Sequence, residues 1–237
     1  MCARANPLAR AHASPIGGAG ISGFPFRFAP FKSPNTGNNE EGVERILHVF
    51  AVLLDARDSF TSGHSLRTAR LAKALVQHMK LSEEEGAVAY RAGLVHDCGR
   101  VGVPIEVVDR PGRLNEQELN LVREHAQMTI RTLGCIPDCP GMAELGNIAG
   151  HDHERWDGRG HPDHLSGENI PLISRVLSVV DAFDAMTATT TYRMPSPKCA
   201  VMRLKDGSGT QFDPQVVDAM ISALESGALD AATPRAA

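Results

Sequence analysis

Histidine and aspartate side chains recur along this 237-residue chain at positions that helical periodicity turns inward. His125, for example, has Leu121 and Met128 four residues before it and three residues after it, on one predicted helix face. A buried carboxylate or imidazole is costly unless it is hydrogen-bonded, paired or bound to a metal ion. A shared cation would account for the whole set, which comprises His64, His96, Asp97, His125, His153 and Asp181.

This donor set suits two divalent ions. Imidazoles combined with carboxylates are typical ligands of iron, manganese and zinc. The adjacent residues His96 and Asp97 fit a carboxylate that bridges two ions while the imidazole binds one of them. Two such ions would lower the pKa of a water molecule and stabilise the charge that develops at a phosphorus atom. Taken singly, each histidine is better interpreted as a hydrogen-bonded core residue, but the joint pattern predicts a metal centre.

Apolar residues at helical spacing predict an all-α fold, a bundle of about seven helices with functional loops at one end. Capping boxes begin two of these helices, since a glutamate follows three residues after Ser82 and after Asn115. No segment has a convincing strand pattern. The predicted helices begin at Val43, after Thr61 or Ser62, at Ser82 (to about Asp97), at Asn115 (to about Arg131), at Met142 (to Ala149), at Leu172 (to about Thr187) and at Asp213.

Composition argues against several classes of protein. Hydrophobic residues make up 42% of the chain and charged residues 22%, as in ordinary soluble globular proteins. A formal net charge of -4 provides no general basic surface, so duplex nucleic acid is not an expected partner. No run approaches the roughly 18 apolar residues of a membrane span, and Gly and Pro interrupt the N-terminal region where a signal core would lie. We therefore expect no membrane span and a cytoplasmic location.

Five sequence blocks resemble, in order and spacing, the HD-GYP phosphodiesterases, a branch of the HD superfamily of metal-dependent phosphohydrolases. The resemblance implies an all-helical domain with a metal centre that hydrolyses cyclic dinucleotides, chiefly cyclic di-GMP, to linear pGpG or GMP in bacterial second-messenger signalling. It covers residues 43–227, preceded by a poorly ordered Gly/Pro-rich leader at 1–42 and followed by a flexible tail at 228–237. The blocks are TSGHS, HDCGRVGVP, REH, DHERWDGRGHP and VVDAFDAMTATTTYR.

Carried over by position, the resemblance assigns metal binding to seven residues, with Asp97 as the bridge and a catalytic residue. Members with a third metal place a glutamate four residues before the first histidine, where this chain has Phe60. Two divalent ions, iron or manganese, are therefore expected. Glu154 and Asp184 are expected to orient imidazoles. The assigned ligands are His64, His96, Asp97, His125, Asp152, His153 and Asp181.

Four positions depart from the family pattern. Asp152 stands where the first of two adjacent histidines is usual, unless a one-residue shift lets His151 serve. His161 replaces the signature tyrosine, and Thr190 replaces an arginine that grips the nucleotide. Arg100 replaces a lysine near the scissile phosphate; its guanidinium binds phosphate well but is a poor proton donor, which leaves protonation of the leaving group to water or another residue.

Four arginines are candidates for contact with substrate phosphate, and the alternative for the loop arginines is a solvated surface charge. The leading hypothesis is a cyclic di-GMP phosphodiesterase. A second is a non-catalytic module that binds a cyclic dinucleotide or docks on a signalling protein through loop 150–167. A third is an HD phosphohydrolase of another nucleotide. The candidate arginines are Arg100, to which we also assign a catalytic role, Arg155, Arg159 and Arg193.

Overall fold

The structure, a computed structural model, describes residues 39–57, 63–108, 112–136, 139, 141–188, 197–230 and 232. Within these ranges the chain forms nine α-helices, two 3-10 turns and no named strand, which confirms the predicted all-α fold. The helices are α1 (Asn39–Arg57), α2 (His64–His78), α3 (Glu83–Val95), α4 (Ile105–Val108), α5 (Glu116–Gly134), α6 (Met142–Gly150), α7 (Leu172–Thr187), α8 (Pro197–Gly207) and α9 (Pro214–Glu225), and the 3-10 turns are Cys98–Gly102 and Gly167–Asn169.

Most helix bounds lie within three residues of the sequence prediction, but α1 begins at Asn39, four residues before the predicted start at Val43 and inside the segment 1–42 predicted to be poorly ordered. Both predicted capping boxes are present, at the starts of α3 and α5, and Asp213 caps α9. The helix α3 ends at Val95, two residues earlier than predicted, because the chain turns there into the first 3-10 segment. The sequence prediction lacked α4 and α8; α8 buries only Ala200 and Leu204, too few apolar residues for a clear periodic signal. None of the described helices is both long and apolar enough to cross a bilayer.

The core includes the aliphatic faces of α2, α3 and α7. The helices α2 and α3 approach closely because Gly93 has no side chain, since a Cβ there would lie 2.6 Å from the Cα of Ala69. Leu229 and Ala232 also belong to the buried core. Packing therefore continues beyond residue 227, where the sequence analysis placed the end of the domain, and the division into leader, domain and tail otherwise stays a prediction.

The turn after α3 packs tightly against α5, and this contact brings Asp97 next to the histidine of α5. A Cβ on Gly99 would lie 2.0 Å from the carbonyl oxygen of His125, closer than any real contact. The hydroxyl of Thr129 accepts a hydrogen bond from the backbone N–H of Gly99 and donates one to the carbonyl of His96, both at 3.0 Å. Glycine at position 99 is thus required for the position of the whole turn.

Replacing Gly99 with Ala is expected to lower the free energy of unfolding by about 2 kcal/mol, because the added methyl overlaps a backbone carbonyl that cannot rotate away. A urea denaturation series measures the change. The matched control is Gly134→Ala at the end of α5, where a Cβ would meet no atom within 4 Å. That control should be neutral or slightly stabilising; an equal loss in both variants would show that tight packing at Gly99 is not the cause.

Some sequence-based expectations concern residues outside the described ranges. They include the leader up to residue 38, the caps Thr61 and Ser62, and the departures at Phe60 and Thr190. The phosphate contact assigned to Arg193 also falls there and stays a prediction.

Candidate metal centre

The predicted ligands converge on Asp97 from both sides. Two groups of donor atoms, each with all members within 4.8 Å of one another, share this carboxylate. The first group contains His64 and His96, and the second contains His125 and His153. A carboxylate that belongs to both groups has the position that a bridge between two ions requires.

The other two predicted ligands flank these groups. Asp181 Oδ1 lies 3.1 Å from His64 Nε2 and 3.9 Å from His96 Nε2. Asp152 Oδ2 lies 3.9 Å from His153 Nε2. The side chains of Asp181 and His153 are 25% and 29% exposed, whereas that of His96 is 1% exposed. The centre is therefore closed towards the core and open to solvent beside Asp181 and His153.

Hydrogen bonds to the Nδ1 atoms orient three of the imidazoles. His64 Nδ1 donates to Asp184 Oδ2 at 2.8 Å. His96 Nδ1 donates at 2.9 Å to the carbonyl of Gly93, which lies in the last turn of α3, where carbonyls lack helical partners. His125 Nδ1 donates to the carbonyl of Val122. Because Nδ1 of each ring donates to a protein oxygen, Nε2 is the nitrogen that faces the centre and that can ligate a metal ion once it is deprotonated.

Two contacts that the sequence analysis missed hold the start of α2, where His64 lies. Asp55 accepts hydrogen bonds from the hydroxyl of Ser65 at 2.6 Å and from its backbone N–H at 3.2 Å, and so caps a helix whose own cap position is Gly63. Arg67 donates from Nε to Asp184 Oδ1 at 2.8 Å and thereby fixes the carboxylate that orients His64. The partners of these contacts are 10 and 117 residues apart in the sequence, so neither pairing had a local sequence signal.

The turn that carries the Cys98–Gly102 segment is also tied to α1. Arg57 donates from Nη1 to the carbonyl of Arg100 at 2.6 Å and from Nη2 to the carbonyl of Val103 at 2.7 Å. The guanidinium of Arg100 in turn donates from Nη1 to Asp97 Oδ2 at 2.8 Å. The predicted catalytic arginine therefore contacts the predicted bridging ligand directly.

The structure separates the two alternatives for the α6–α7 loop. Both ring nitrogens of His151 are occupied, Nδ1 by the carbonyl of Asn147 at 2.6 Å and Nε2 by Asp163 Oδ2 at 3.0 Å. Asp152 is 1% exposed, and neither of its carboxylate oxygens has a hydrogen-bond partner. Asp152 is thus the one of the two with donor atoms available, although its role as a ligand stays a prediction.

Glu154 does not orient an imidazole, contrary to expectation. Its Oε1 accepts a hydrogen bond from the backbone N–H of Asp163 at 2.7 Å, and the Asp163 side chain is the group that contacts His151. The indole of Trp156 lies under the guanidinium of Arg175, 5.7 Å from the ring centroid. The first two contacts join residues of the α6–α7 loop to one another, and the third holds the loop against α7.

The loop arginines assigned to phosphate contact are paired with an aspartate. Arg155 donates to Asp157 from Nε at 3.0 Å and from Nη2 at 2.8 Å. Arg159 donates to the same carboxylate from Nη2 at 2.7 Å, and its side chain is 75% exposed. Both guanidinium groups hold the pKa of Asp157 well below its usual value. Phosphate binding by either arginine would compete with Asp157, so this assignment stays a prediction.

Unpartnered buried atoms show that the donor set fits a metal centre. His96 Nε2 and both oxygens of Asp152 are buried without hydrogen-bond partners, a costly arrangement that bound ions would relieve. Burial would by itself raise the pKa of Asp97, but the imidazole of His96 and the guanidinium of Arg100 outweigh it and hold the carboxyl ionised. Burial raises the pKa of Asp152 and lowers that of His161 to about 4. Imidazole and carboxylate donors of this kind suit divalent metals such as iron, manganese or zinc.

Metal binding is expected to release about one proton from His64 at pH 8. Burial would lower the pKa of this imidazole, but its hydrogen bonds to Asp181 and Asp184 raise the pKa to about 10, so the ring is protonated in metal-free protein. A ligand must be deprotonated, so affinity for the first ion should rise up to about tenfold per pH unit between pH 7 and 9. Calorimetric titration with Mn(II) in buffers of different ionisation enthalpy counts the released protons.

The control for this titration is Asp184→Asn, which removes the negative charge next to His64 Nδ1. The pKa of His64 should fall, so fewer protons should leave at pH 8. The sign of the pH dependence follows from the raised pKa: the paired imidazolium stabilises metal-free protein below about pH 6.5, and that stabilisation is lost as the pH rises towards 10. Equal proton release by both proteins at every pH from 7 to 10 would exclude His64 as the source.

The sequence is similar to a described protein family and to several characterised proteins. The HD domain family description matches residues 48–216. The chain is 33% identical over 184 residues to the 3'3'-cGAMP-specific phosphodiesterase 3 of Vibrio cholerae, covering 77% of this chain and 39% of the relative. It is 34% identical over 184 residues to the cyclic di-GMP phosphodiesterase response regulator RpfG of Xanthomonas campestris, covering 77% of this chain and 48% of the relative. The chain therefore spans less than half the length of these two relatives.

A solved structure shares the fold. The crystal structure of a cyclic GMP-AMP-specific phosphodiesterase of V. cholerae, V-cGAP3, superposes with a TM-score of 0.61 at 18% sequence identity, over 80% of this chain and 50% of that chain. At this identity the likeness supports the helical architecture alone.

Proposed function

This chain belongs to the HD domain family, and on that premise we propose that it is a metal-dependent phosphodiesterase that hydrolyses cyclic dinucleotides, with cyclic di-GMP as the substrate. The observation that carries the proposal is the shared carboxylate of Asp97 between two groups of imidazoles. Relatives that match this chain are named phosphodiesterases of cyclic di-GMP or 3'3'-cGAMP, which supports the same class of substrate.

The protein's own residues perform three tasks in this proposal. Asp97, His64 and His96 would hold one ion and Asp97, His125 and His153 the other, with Asp181 and Asp152 as flanking donors. The two ions, iron or manganese, supply Lewis-acid chemistry and an activated water when bound. The open side beside Asp181 and His153 admits the phosphodiester, while the buried side excludes bulk water.

In this proposal Arg100 contacts a phosphate of the substrate. Its guanidinium is 2.8 Å from Asp97 Oδ2 and its side chain is 28% exposed, so it can turn to a phosphate oxygen while it remains beside the bridge. A guanidinium forms paired hydrogen bonds to phosphate and stays charged at all physiological pH values. Arg100 therefore binds and orients the substrate, and the leaving oxygen takes its proton from another group.

The test is hydrolysis by anaerobically purified protein loaded with Fe(II) or Mn(II), followed by chromatography of the products. The substrates are cyclic di-GMP, 3'3'-cGAMP, and a simple aryl phosphodiester. We expect linear pGpG or GMP from cyclic di-GMP, and no product after chelation. Tight binding of cyclic di-GMP by metal-loaded protein without turnover would replace the proposal with a binding module. Turnover of the aryl ester alone would point to another nucleotide or phosphate ester.

The contribution of Arg100 has its own variant in this assay. Arg100→Ala should raise the KM for cyclic di-GMP by about tenfold, since one charge-assisted contact to phosphate is lost, while both ions remain bound. Arg203→Ala, an exposed arginine of α8, is the matched control and should behave like the unmutated protein.

A further inference from the structure

The helix α1 is apolar on two faces. One face packs into the bundle through Leu47, Ala51 and Leu54, which are all buried. A surface helix normally presents polar side chains on its other face, and a helix that is apolar all round is normally covered all round. The outer face of α1 nevertheless exposes five large apolar residues, each between 36% and 69% exposed. They are Ile46, Val49, Phe50, Val52 and Leu53.

The spacing of this outer face is that of a seam between paired helices. Its residues recur at intervals of three and four, as the a and d positions of a heptad do. These positions are Ile46, Val49, Leu53 and Ala56. His48 is the only polar residue from position 46 to position 54, and its Nε2 lies 3.2 Å from the hydroxyl of Tyr90 on α3, on the side of the bundle. The seam itself is therefore free of polar groups.

The outer face of α1 is large enough for a specific interface. Its five apolar residues expose roughly 500 Å², which is near the upper end for the largest apolar patch of a monomeric protein. Two copies of the chain that bring this face together would bury up to about 1,000 Å² before the surrounding polar atoms are counted, and that total is the area which a specific interface needs. A second copy therefore has enough surface to cover the face.

The charges of α1 favour an antiparallel pair. Residues 39–47 include three glutamates and one arginine, whereas the last turn carries Arg57. Parallel helices would bring the two acidic ends together, but antiparallel helices place the acidic end of one copy beside the basic end of the other. In a register centred on residue 51, Val49 of one copy lies opposite Leu53 of the other. Each large side chain at Ile46 then meets the small side chain at Ala56 of the second copy.

We propose that the outer face of α1 is a two-fold interface between two copies of this chain, with the two α1 helices antiparallel. The same face is used on both copies, so the contact closes on itself and gives a dimer and not a filament. This interface lies beyond the proposed hydrolysis of cyclic dinucleotides. It depends neither on bound metal nor on the identity of the substrate.

Sedimentation equilibrium of the full chain, over concentrations from about 1 to 100 µM, tests the proposal. We expect a monomer–dimer equilibrium with a micromolar dissociation constant, because the interface is at the small end of the specific range. Val49→Lys and Leu53→Glu should each weaken dimerisation at least about 100-fold, since each buries an unpaired charge in both copies. The matched control is Met202→Lys, at an exposed apolar residue of α8, which should dimerise like the unmutated protein.

An equal mixture of Val49→Lys and Leu53→Glu tests the pairing itself. In the antiparallel register the introduced ammonium of one copy faces the introduced carboxylate of the other, so the mixture should dimerise at concentrations where neither variant does so alone. Both substitutions are at exposed positions, so each variant should keep the helical circular dichroism of the unmutated protein.

Three results would contradict the proposal. A full chain that stays monomeric at about 100 µM would overturn it and leave the outer face of α1 to a different protein or to a segment outside the described residues. Undiminished dimerisation of both charged variants would show that the dimer uses another surface. A mixture that remains monomeric would refute the antiparallel pairing. Hydrolysis enters none of these measurements, so the proposed function and this interface stand or fall separately.

Discussion

Replacing Asp97 with Ala is expected to abolish hydrolysis and to remove most of the bound metal. Asp97 is the only residue common to the two donor groups among the described residues, so its loss deprives both ions of an anionic ligand at once. We expect hydrolysis to fall by at least about 10³-fold, equivalent to about 4 kcal/mol of transition-state stabilisation. Metal content, measured by mass spectrometry after gel filtration, should fall from two ions per chain towards zero.

Two further variants show whether the effect belongs to the bridge. Asp97→Asn keeps the volume and one ligating oxygen but not the charge, and should retain more metal than the alanine variant while it remains nearly inactive. Asp206→Ala removes an exposed aspartate of α8 and should change neither quantity. Unaltered metal content in a folded Asp97→Ala protein would refute the assignment of Asp97 as the bridge.

Replacing Asp152 with Asn is expected to affect metal binding and metal-free stability in opposite directions. Both carboxylate oxygens are buried without hydrogen-bond partners, so the ionised group destabilises the metal-free fold. Removal of the charge should raise the free energy of unfolding of metal-free protein by about 1–3 kcal/mol. The same change should lower the affinity for the second ion by about 100-fold, because the site loses an anionic donor. The rate of hydrolysis should fall with it.

Thermal unfolding with and without Mn(II) measures both effects, since an ion that binds only the native state stabilises it by an amount that grows with the logarithm of the ratio of free ion to Kd. Burial raises the pKa of Asp152 in the folded protein, so the native state binds the proton more tightly and the stability of metal-free protein should fall as the pH rises above about 4. Asp152→Asn should lack this contribution. The control is Asp206→Asn, at an exposed aspartate of α8. A less stable metal-free Asp152→Asn protein with normal metal affinity would make Asp152 a structural residue.

The helices were predictable, and candidate ligands could be named, because their sequence signals are local. Capping boxes at Ser82 and Asn115, apolar spacing along α7 and the cap at Asp213 each depend on residues within a few positions of one another. The His–Asp pair at positions 96 and 97 was conspicuous because a polar pair at the end of an apolar helix needs a partner. The weak apolar pattern of α8 carried no such signal, and that helix was missed.

Contacts between distant segments could not be predicted in the same way. Three such hydrogen-bonded contacts join residues that are far apart in the sequence or whose side chains meet only after the helices pack. They are the contacts between Asp55 and the start of α2, between Arg67 and Asp184, and between Arg57 and the carbonyls of the turn. The prediction that Glu154 orients an imidazole was wrong for the same reason: its hydrogen-bond partner is the backbone N–H of Asp163, nine residues away.

By itself, the amino-acid sequence predicted the all-helical class, most helix bounds and six of the candidate ligands, because periodicity, capping and the cost of burying polar groups act residue by residue; the seventh candidate, Asp152, came from the family resemblance. Only the tertiary structure decided which atoms are available to a ligand. In the folded protein both ring nitrogens of His151 have hydrogen-bond partners, the carboxylate oxygens of Asp152 have none, and the ring of His161 stacks on that of His153. Availability depends on which groups from distant segments come within hydrogen-bonding distance, and helix packing sets those distances.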